Sequence, residues 1–477
     1  MFLFRAGVCL SRAVRKTASS LRVFWAVVAL TLAYLPTAVA APQPCGHTVI
    51  ASTGTAAPAG GNYFFFHQVA FAARDEVAFA AFLRGPSNSG VFLGDGATTS
   101  VVALGGNPDP AAGNLGFFIS TLFPAEREIV VAATPFDPEK STAVFGVRRS
   151  NASLLVEDGQ VAPGGGSLSL GELDANSRGA VAYSANLIGG ADTQGLFRTD
   201  RNGTVKIAGD NSGLPTGGTV LFFANTTINS RGQVAFFAGM EGGASDFGVF
   251  RGDGREITTI FAAGQTAPGG GTFVDFGTPI LNDKGQVVVP CLITGGTVPS
   301  GLLLGDGKKT TIVALTGQPA PKGGNYGDRF AVPTLLDDQG QVVFNVDLTG
   351  GANPRGLFRK ERDRTITVAL QGAAAPGTTG TFSDFINAKI SKDGTLAILA
   401  RLTLGVGGVD TTNNMGIWVG TSESNLRLVA RSGETIEGRM LARFSGQLDL
   451  NEKSVAWIGA FSDGTSAVVL TPLEKHH

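Results

Sequence analysis

The chain has 477 residues, with 37 basic and 38 acidic side chains, 68 glycines and 32 phenylalanines, but only four histidines and three cysteines. So even a charge balance argues against nucleic acid, whose binding needs clustered Lys and Arg to neutralise phosphates. So few cysteines exclude a disulfide scaffold, and so few histidines exclude a metal centre built from several imidazoles.

Residues 1–40 stand apart in composition. Arg5, Arg12, Arg15, Lys16 and Arg22 occur there without a single acid, an apolar run follows from Val23 to Leu35, and Ala38-Val39-Ala40 precedes Ala41. A basic segment, an apolar stretch short for a bilayer and an A-x-A site predict a secretory signal peptide over 1–40. Removing it takes five of the 37 basic residues, leaving 32 against 38 acids and a formal charge of −6. No later segment is apolar for long enough to span a membrane, so the expected location is secreted, periplasmic or at the cell surface. The chain ends Val469-Leu470-Thr471-Pro472-Leu473-Glu474-Lys475-His476-His477 without an apolar anchor, which favours release. Cys45 and Cys291 fall in distant repeats and are expected as unpaired thiols.

From residue 41 onward the sequence repeats itself. Asn176–Tyr183 (NSRGAVAY), Asn229–Phe236 (NSRGQVAF), Asn282–Val289 (NDKGQVVV) and Asp337–Phe344 (DDQGQVVF) align directly, with weaker copies near Arg74, Arg127, Ser391 and Asn451. Val77, Ile129, Val181, Val234, Val287, Val342, Leu396 and Val455 mark one apolar position in each copy, at spacings of 52, 52, 53, 53, 55, 54 and 59. Eight units of about 54 residues predict one domain over 41–477.

The unit around Gly285 shows the expected strands. Phe273–Leu281 is a mostly apolar first strand. Asn282-Asp-Lys-Gly285 is a turn with Asn first and Gly last, as type I turns prefer. Val287–Val289 begins a β-branched second strand, Gly301–Leu304 a third, and the tight Asp306-Gly307 hairpin leads to a fourth over Thr310–Leu315. Connectors such as Ala267-Pro-Gly-Gly-Gly271 and Ala320-Pro-Lys-Gly-Gly324 join units. Hairpin-linked strands at this period suit the blade of a propeller better than a solenoid rung. The last unit holds only three strands, and an orphan fourth strand lies at 48–52. The expected fold is therefore all-β: an eight-bladed β-propeller of four-stranded antiparallel blades, closed by strand 48–52 joining the C-terminal blade, so that no edge is left open.

Asn229–Phe236 fits an NxxGxxAF pattern in full, and Asn176–Tyr183 departs only at its last residue. The repeats resemble a family of bacterial exported proteins with tandem NxxGxxAF repeats, of the choice-of-anchor type, over essentially 45–470. Asp75, Arg127 and Lys453 or Ser454 stand where that pattern has Gly. The resemblance implies the repeat fold and export, and names no activity.

Most suspicious residues read as structure. Asp95, Asp253 and Asp306 lie in Gly-Asp-Gly triplets that suit hairpins better than calcium. The repeated Asn caps its own turn. Phe79, Phe236 and Phe344 on second strands, and Phe92, Phe197, Phe250 and Phe358 on third strands, are expected between blades, as are Trp418 and Trp457. No catalytic set, metal site or cofactor is expected; His47 and His67 are the only histidines ahead of the final pair. A ligand is expected at the mouth of the central channel, where connectors enter the first strands, through Tyr63, His67, Asp275, Tyr326, Asp328, Arg329 and Asp384. The expected function is an exported binding or interaction module for a glycan, peptide or surface polymer. The rivals are a propeller-type hydrolase or lyase, which would need carboxylates at that mouth, and a structural envelope or matrix protein.

Overall fold

The expected turn chemistry forms at Asn282. Its main-chain carbonyl accepts from Gly285 N at 3.0 Å, and its Oδ1 accepts from the Lys284 and Gln286 amides at 3.1 and 2.9 Å. Gly285 sits at φ +81°, where a side chain is strained. The Gly-Asp-Gly turns work alike. Asp306 Oδ1 accepts from the Lys308 and Lys309 amides at 2.8 and 2.7 Å. Those donors hold its carboxyl below the usual range.

These turns recur through a computed structural model that describes residues 46–473, apart from 59, 73–75, 106–113, 116, 126–127, 135–141 and 149–150. The expected signal peptide, Cys45, Asp75, Arg127 and the final histidine pair lie outside the described residues. Every regular element among the described residues is a strand. They build eight sheets, each with its four principal strands in antiparallel order. We number the blades along the chain. Blade 1 runs from Asn62–Phe71 to Thr99–Gly105 and blade 2 from Phe117–Pro124 to Asn151–Glu157. Blade 3 runs from Ser167–Ala175 to Gly203–Gly209 and blade 4 from Thr219–Ile228 to Ile257–Ala262. Blade 5 runs from Thr272–Phe276 to Thr310–Leu315, blade 6 from Asn325–Leu336 to Arg364–Leu370, and blade 7 from Phe382–Ile390 to Arg427–Arg431.

Blade 8 joins the two chain ends. Arg439–Leu450, Ser454–Phe461 and Ser466–Pro472 supply three strands, and Thr48–Ser52 pairs with the last of them, Thr48 opposite Leu470 and Ser52 opposite Ala467. The closing strand therefore comes from the other end of the chain. The ring also closes from blade 8 to blade 1, where Asp449 Oδ2 accepts from the Phe71 amide at 2.7 Å. Ala456, Ile458 and Val468 of blade 8 share one apolar cluster with Phe66, Phe79 and Phe92 of blade 1. The structure thus defines an eight-bladed β-propeller.

Cores lie between blades. Ala235, Val249 and Phe261 of blade 4 pack with Phe273, Val287 and Leu303 of blade 5. Phe79, Phe92, Phe197, Phe236, Phe250, Phe344, Phe358, Trp418 and Trp457 are all fully buried. Each such ring contributes about 1.5–3 kcal/mol of transfer free energy.

The first strand of blade 5 differs from expectation. It is broken into Thr272–Phe276 and Ile280–Leu281. The cause is Pro290 in the adjacent strand Val287–Thr294. Its carbonyl accepts from Gly277 N at 2.9 Å. On that same side proline has no N–H to return, so the ladder lapses.

Candidate functional site

In six blades the first strand leaves its connector with one residue turned inward. The pairings are Tyr63 with Leu83, Leu168 with Leu187, Val220 with Met240, Phe273 with Ile293, Tyr326 with Leu348 and Phe382 with Leu402. Tyr63 and Tyr326 therefore occupy a core position, and each is only 4% exposed. Tyr63 packs on Phe66, Phe79 and Phe92, with centroids 5.1 to 5.9 Å away. Burial pushes the Tyr326 hydroxyl up to about 12 and raises that of Tyr63 further. This corrects their expected place at the channel mouth: their rings belong to the blade core.

Just past the inward residue the pairing slips, between Phe273 and Asp275, between Phe382 and Asp384, and between Tyr326 and Phe330. Such a bulge inserts an unpaired residue and re-aims side chains. It leaves Asp275, Asp328 and Arg329 exposed. Equivalent bulges at Tyr63/Phe65 and Val220/Phe222 present Phe65, 51% exposed, and Phe222, 40% exposed. At this level blades 5 to 7 carry charge, whereas blades 1 and 4 carry phenyl rings.

Asp275, Asp328 and Arg329 meet in one cleft between blades 5 and 6. It has a volume of about 460 Å³ and is also lined by Pro290, Leu292, Ser300 and Phe330. That volume suits a small ligand or one or two units of a polymer. Asp275 Oδ1 accepts from the Phe276 amide at 2.8 Å, and Ser300 Oγ donates to the Asp328 carbonyl at 3.0 Å, so the backbone of both walls is fixed. Among the described residues Arg329 makes no ion pair. Leu292, opposite Asp275 in the sheet, is half-exposed and gives the cleft an apolar wall. Cys291 lines the floor as a free, buried thiol. Burial pushes it up to about 12, so it stays protonated and unreactive at neutral pH.

Asp384 belongs elsewhere. Its Oδ1 lies 3.4 Å from Arg355 Nη1 and its Oδ2 lies 3.9 Å from Arg401 Nη1; Arg355 Nε also donates to Asp347 Oδ1 at 2.7 Å. This is a partly exposed ion network at the boundary of blades 6 and 7. Pairs of that exposure each contribute about 0.2–1 kcal/mol. The sequence offered Arg355 only as one more basic residue on a third strand. His67, on blade 1, is separated from the nearest of these groups by the whole of blade 8. Its ring stacks on Phe82 at 5.1 Å, its Nδ1 is buried without a partner, and burial lowers its pKa, so it is neutral. His47 sits in the seam instead, with Nδ1 2.9 Å from Thr471 Oγ1 and Nε2 3.3 Å from Glu434.

Fold and seam together place the chain among propellers with an end-to-end closed ring. It belongs to a family of unknown function (DUF7453), whose model matches residues 35–297 and 293–440. No curated protein matches the chain. Solved structures similar to it include a puromycin-hydrolysing peptidase of Mycobacterium tuberculosis, with 15% identity, a TM-score of 0.40, and coverage of 75% of this chain and 50% of that one. A second is the β-propeller domain of the Trilobed protease from Pyrococcus furiosus, with 7% identity, a TM-score of 0.41, and coverage of 78% and 100%. A third is prolyl oligopeptidase B from Galerina marginata, with 9% identity, a TM-score of 0.42, and coverage of 84% and 56%. The chain spans about half the length of the two peptidases.

Proposed function

We propose that the protein is an exported binding module that takes a glycan in the cleft between blades 5 and 6. The observation that carries this reading is the convergence of Asp275, Asp328 and Arg329 on one open cleft with Leu292 as its apolar wall. Two carboxylates accept from sugar hydroxyls, a guanidinium donates to them, and an aliphatic wall covers the C–H face of a ring. Export is supported by the basic, apolar and A-x-A segments of residues 1–40. The NSRGQVAF repeat supports kinship with the bacterial exported proteins that carry tandem NxxGxxAF repeats.

The test is a melt of the purified protein against soluble oligosaccharides and peptides. A ligand of the folded state raises Tm once it exceeds its Kd. A glycan-dependent shift is expected, lost in a triple variant Asp275→Asn, Asp328→Asn, Arg329→Gln and kept in Asp384→Asn, which lies outside the cleft. A shift that survives the triple variant moves the site elsewhere, and a shift with peptides alone replaces the ligand class.

A further inference from the structure

A second cavity, of about 620 Å³, opens between the outer strands of blades 5 and 6. It lies where the repeat frame is broken. One residue near the end of each third strand faces the apolar repeat position that starts the second strand. Glycine holds that place in four blades, opposite Val77, Val234, Val287 and Leu396 (Gly94, Gly252, Gly305 and Gly420). Val147, Thr199 and Thr471 hold it in three others. In blade 6 it is Lys360.

At Gly94, Gly252 and Gly305 the preceding blade presses on the glycine, whereas a Cβ at Gly420 would meet Asn425 O of its own blade at 2.8 Å. A Cβ at Gly305 would come within 2.6 Å of Phe261 and 3.1 Å of Ile260; one at Gly252 would come within 2.7 Å of Ile207. Real side chains do not approach so closely. Before Lys360, register puts Val313 and Ala314 where blade 4 has Ile260 and Phe261, and Ile312 and Leu315 where it has Thr259 and Ala262. Here Lys360 lines the cavity with Ile312, Val313 and Tyr326. Lys360 is half-buried and, among the described residues, its side chain makes no ion pair or hydrogen bond. Gln318 and Thr365 join it, with apolar walls from Ile312, Pro319 and Pro321. The Gln318 Oε1 is engaged by the Leu315 amide at 2.9 Å, which leaves its NH₂ as a donor. An ammonium without a counter-ion, beside an amide donor and apolar walls, is complementary to an anion with an apolar body.

We propose that this cavity is a binding site for a small organic carboxylate, the carboxylate on Lys360 and the Gln318 amide, the hydrocarbon against Ile312 and the two prolines. The site is independent of the cleft at Asp275. The probe is 4-phenylbutyrate, with 4-phenylbutyramide as its neutral counterpart, titrated calorimetrically into the full-length protein. The acid is expected to bind and the amide to bind about tenfold more weakly or not at all. Lys360→Met should weaken the acid about tenfold, Lys360→Arg should restore most of it, and Asp275→Asn with Asp328→Asn should leave it unchanged. Lys360→Gly returns the residue of four other blades, so its melt separates loss of ligand from loss of fold. Equal binding of acid and amide, full affinity in Lys360→Met, or no binding of the acid to the native protein overturns the proposal.

Discussion

Asn229 Nδ2 donates to the main-chain carbonyl of Asn282, 53 residues further on and in the next blade, at 2.9 Å. Asn176 makes the same bond to Asn229 at 2.7 Å, and Asn282 to Asp337 at 2.9 Å. The oxygen of each Asn caps its own turn while the nitrogen ties that turn to its neighbour. Third-strand arginines reinforce the tie: Arg198 Nη1 donates to Gly232 O at 2.5 Å, Arg359 Nη1 to Gly394 O at 2.7 Å, and Arg251 to Gly285 O. Two separate demands thus fix the motif glycine, since a Cβ at Gly285 would also meet Arg251 Nη1 at 2.9 Å.

Asn229→Ala should accordingly cost more than an ordinary turn substitution. It removes the acceptor for the Arg231 and Gln233 amides and the donor to Asn282 at a site 3% exposed. A loss of about 2–4 kcal/mol is expected, from buried partners left unpaired. Asn229→Asp keeps the acceptor but sets a carboxylate beside a carbonyl, so it should fall between native and Ala in urea unfolding.

Asp337 occupies the Asn position in blade 6. Its Oδ1 accepts from the Gln339 and Gln341 amides at 2.9 and 2.7 Å, but it has no N–H to pass on to blade 7. Burial raises its pKa, so the folded chain holds this proton at a higher pH than the unfolded chain. The stability linked to the proton is full below the unfolded pKa of about 3.9 and is lost as pH rises through the folded value. Asp337→Asn removes the charge and supplies the missing donor toward the Ser391 carbonyl. Tm should rise at pH 7 and change less at pH 3; a fall at pH 7 contradicts the frame.

The blade count was legible because each turn needs Asn and Gly at fixed offsets and each strand needs apolar residues, so the period survives in the sequence. The second bond of each Asn was not legible, because its partner is 53 residues away and leaves no local mark. Tyr63 and Tyr326 misled through their Gly-Gly-Asn-Tyr connectors; alignment with Phe273 and Phe382 puts them in the core. Asp384 misled for a geometric reason. Equivalent residues in successive blades are related by rotation about the ring axis, so a shared motif position places two carboxylates in different clefts. Lys360 departs from a glycine frame that shows only once register is known.

The seam makes the N-terminal strand part of the folding unit. Thr48–Ser52 covers the outer edge of blade 8, and Thr53 N donates to Ser466 O at 2.8 Å. Deleting 45–54 exposes strand Ser466–Pro472 and uncovers Ile458 and Val468. The variant should lose its cooperative melt and aggregate through the freed edge. A truncated chain that melts as sharply as the parent would show that the ring does not depend on closure.

A finer probe of the same seam is Thr471. Its Oγ1 accepts from Trp457 Nε1 at 2.9 Å and lies 2.9 Å from His47 Nδ1. The indole N–H can only donate, so Thr471 Oγ1 accepts it and keeps its own proton and a second lone pair for the contact with His47 Nδ1, while His47 Nε2 lies 3.3 Å from Glu434. One hydroxyl thus orients the ring that ties the N-terminal segment to blade 8. Thr471 and Trp457 are fully buried, so Thr471→Val, nearly equal in volume, leaves the indole N–H and the imidazole nitrogen without partners. A cost of about 1–3 kcal/mol is expected. Thr471→Ser should recover most of it, since the hydroxyl carries the effect. Equal losses in Val and Ser variants would trace the effect to packing of the methyl group instead.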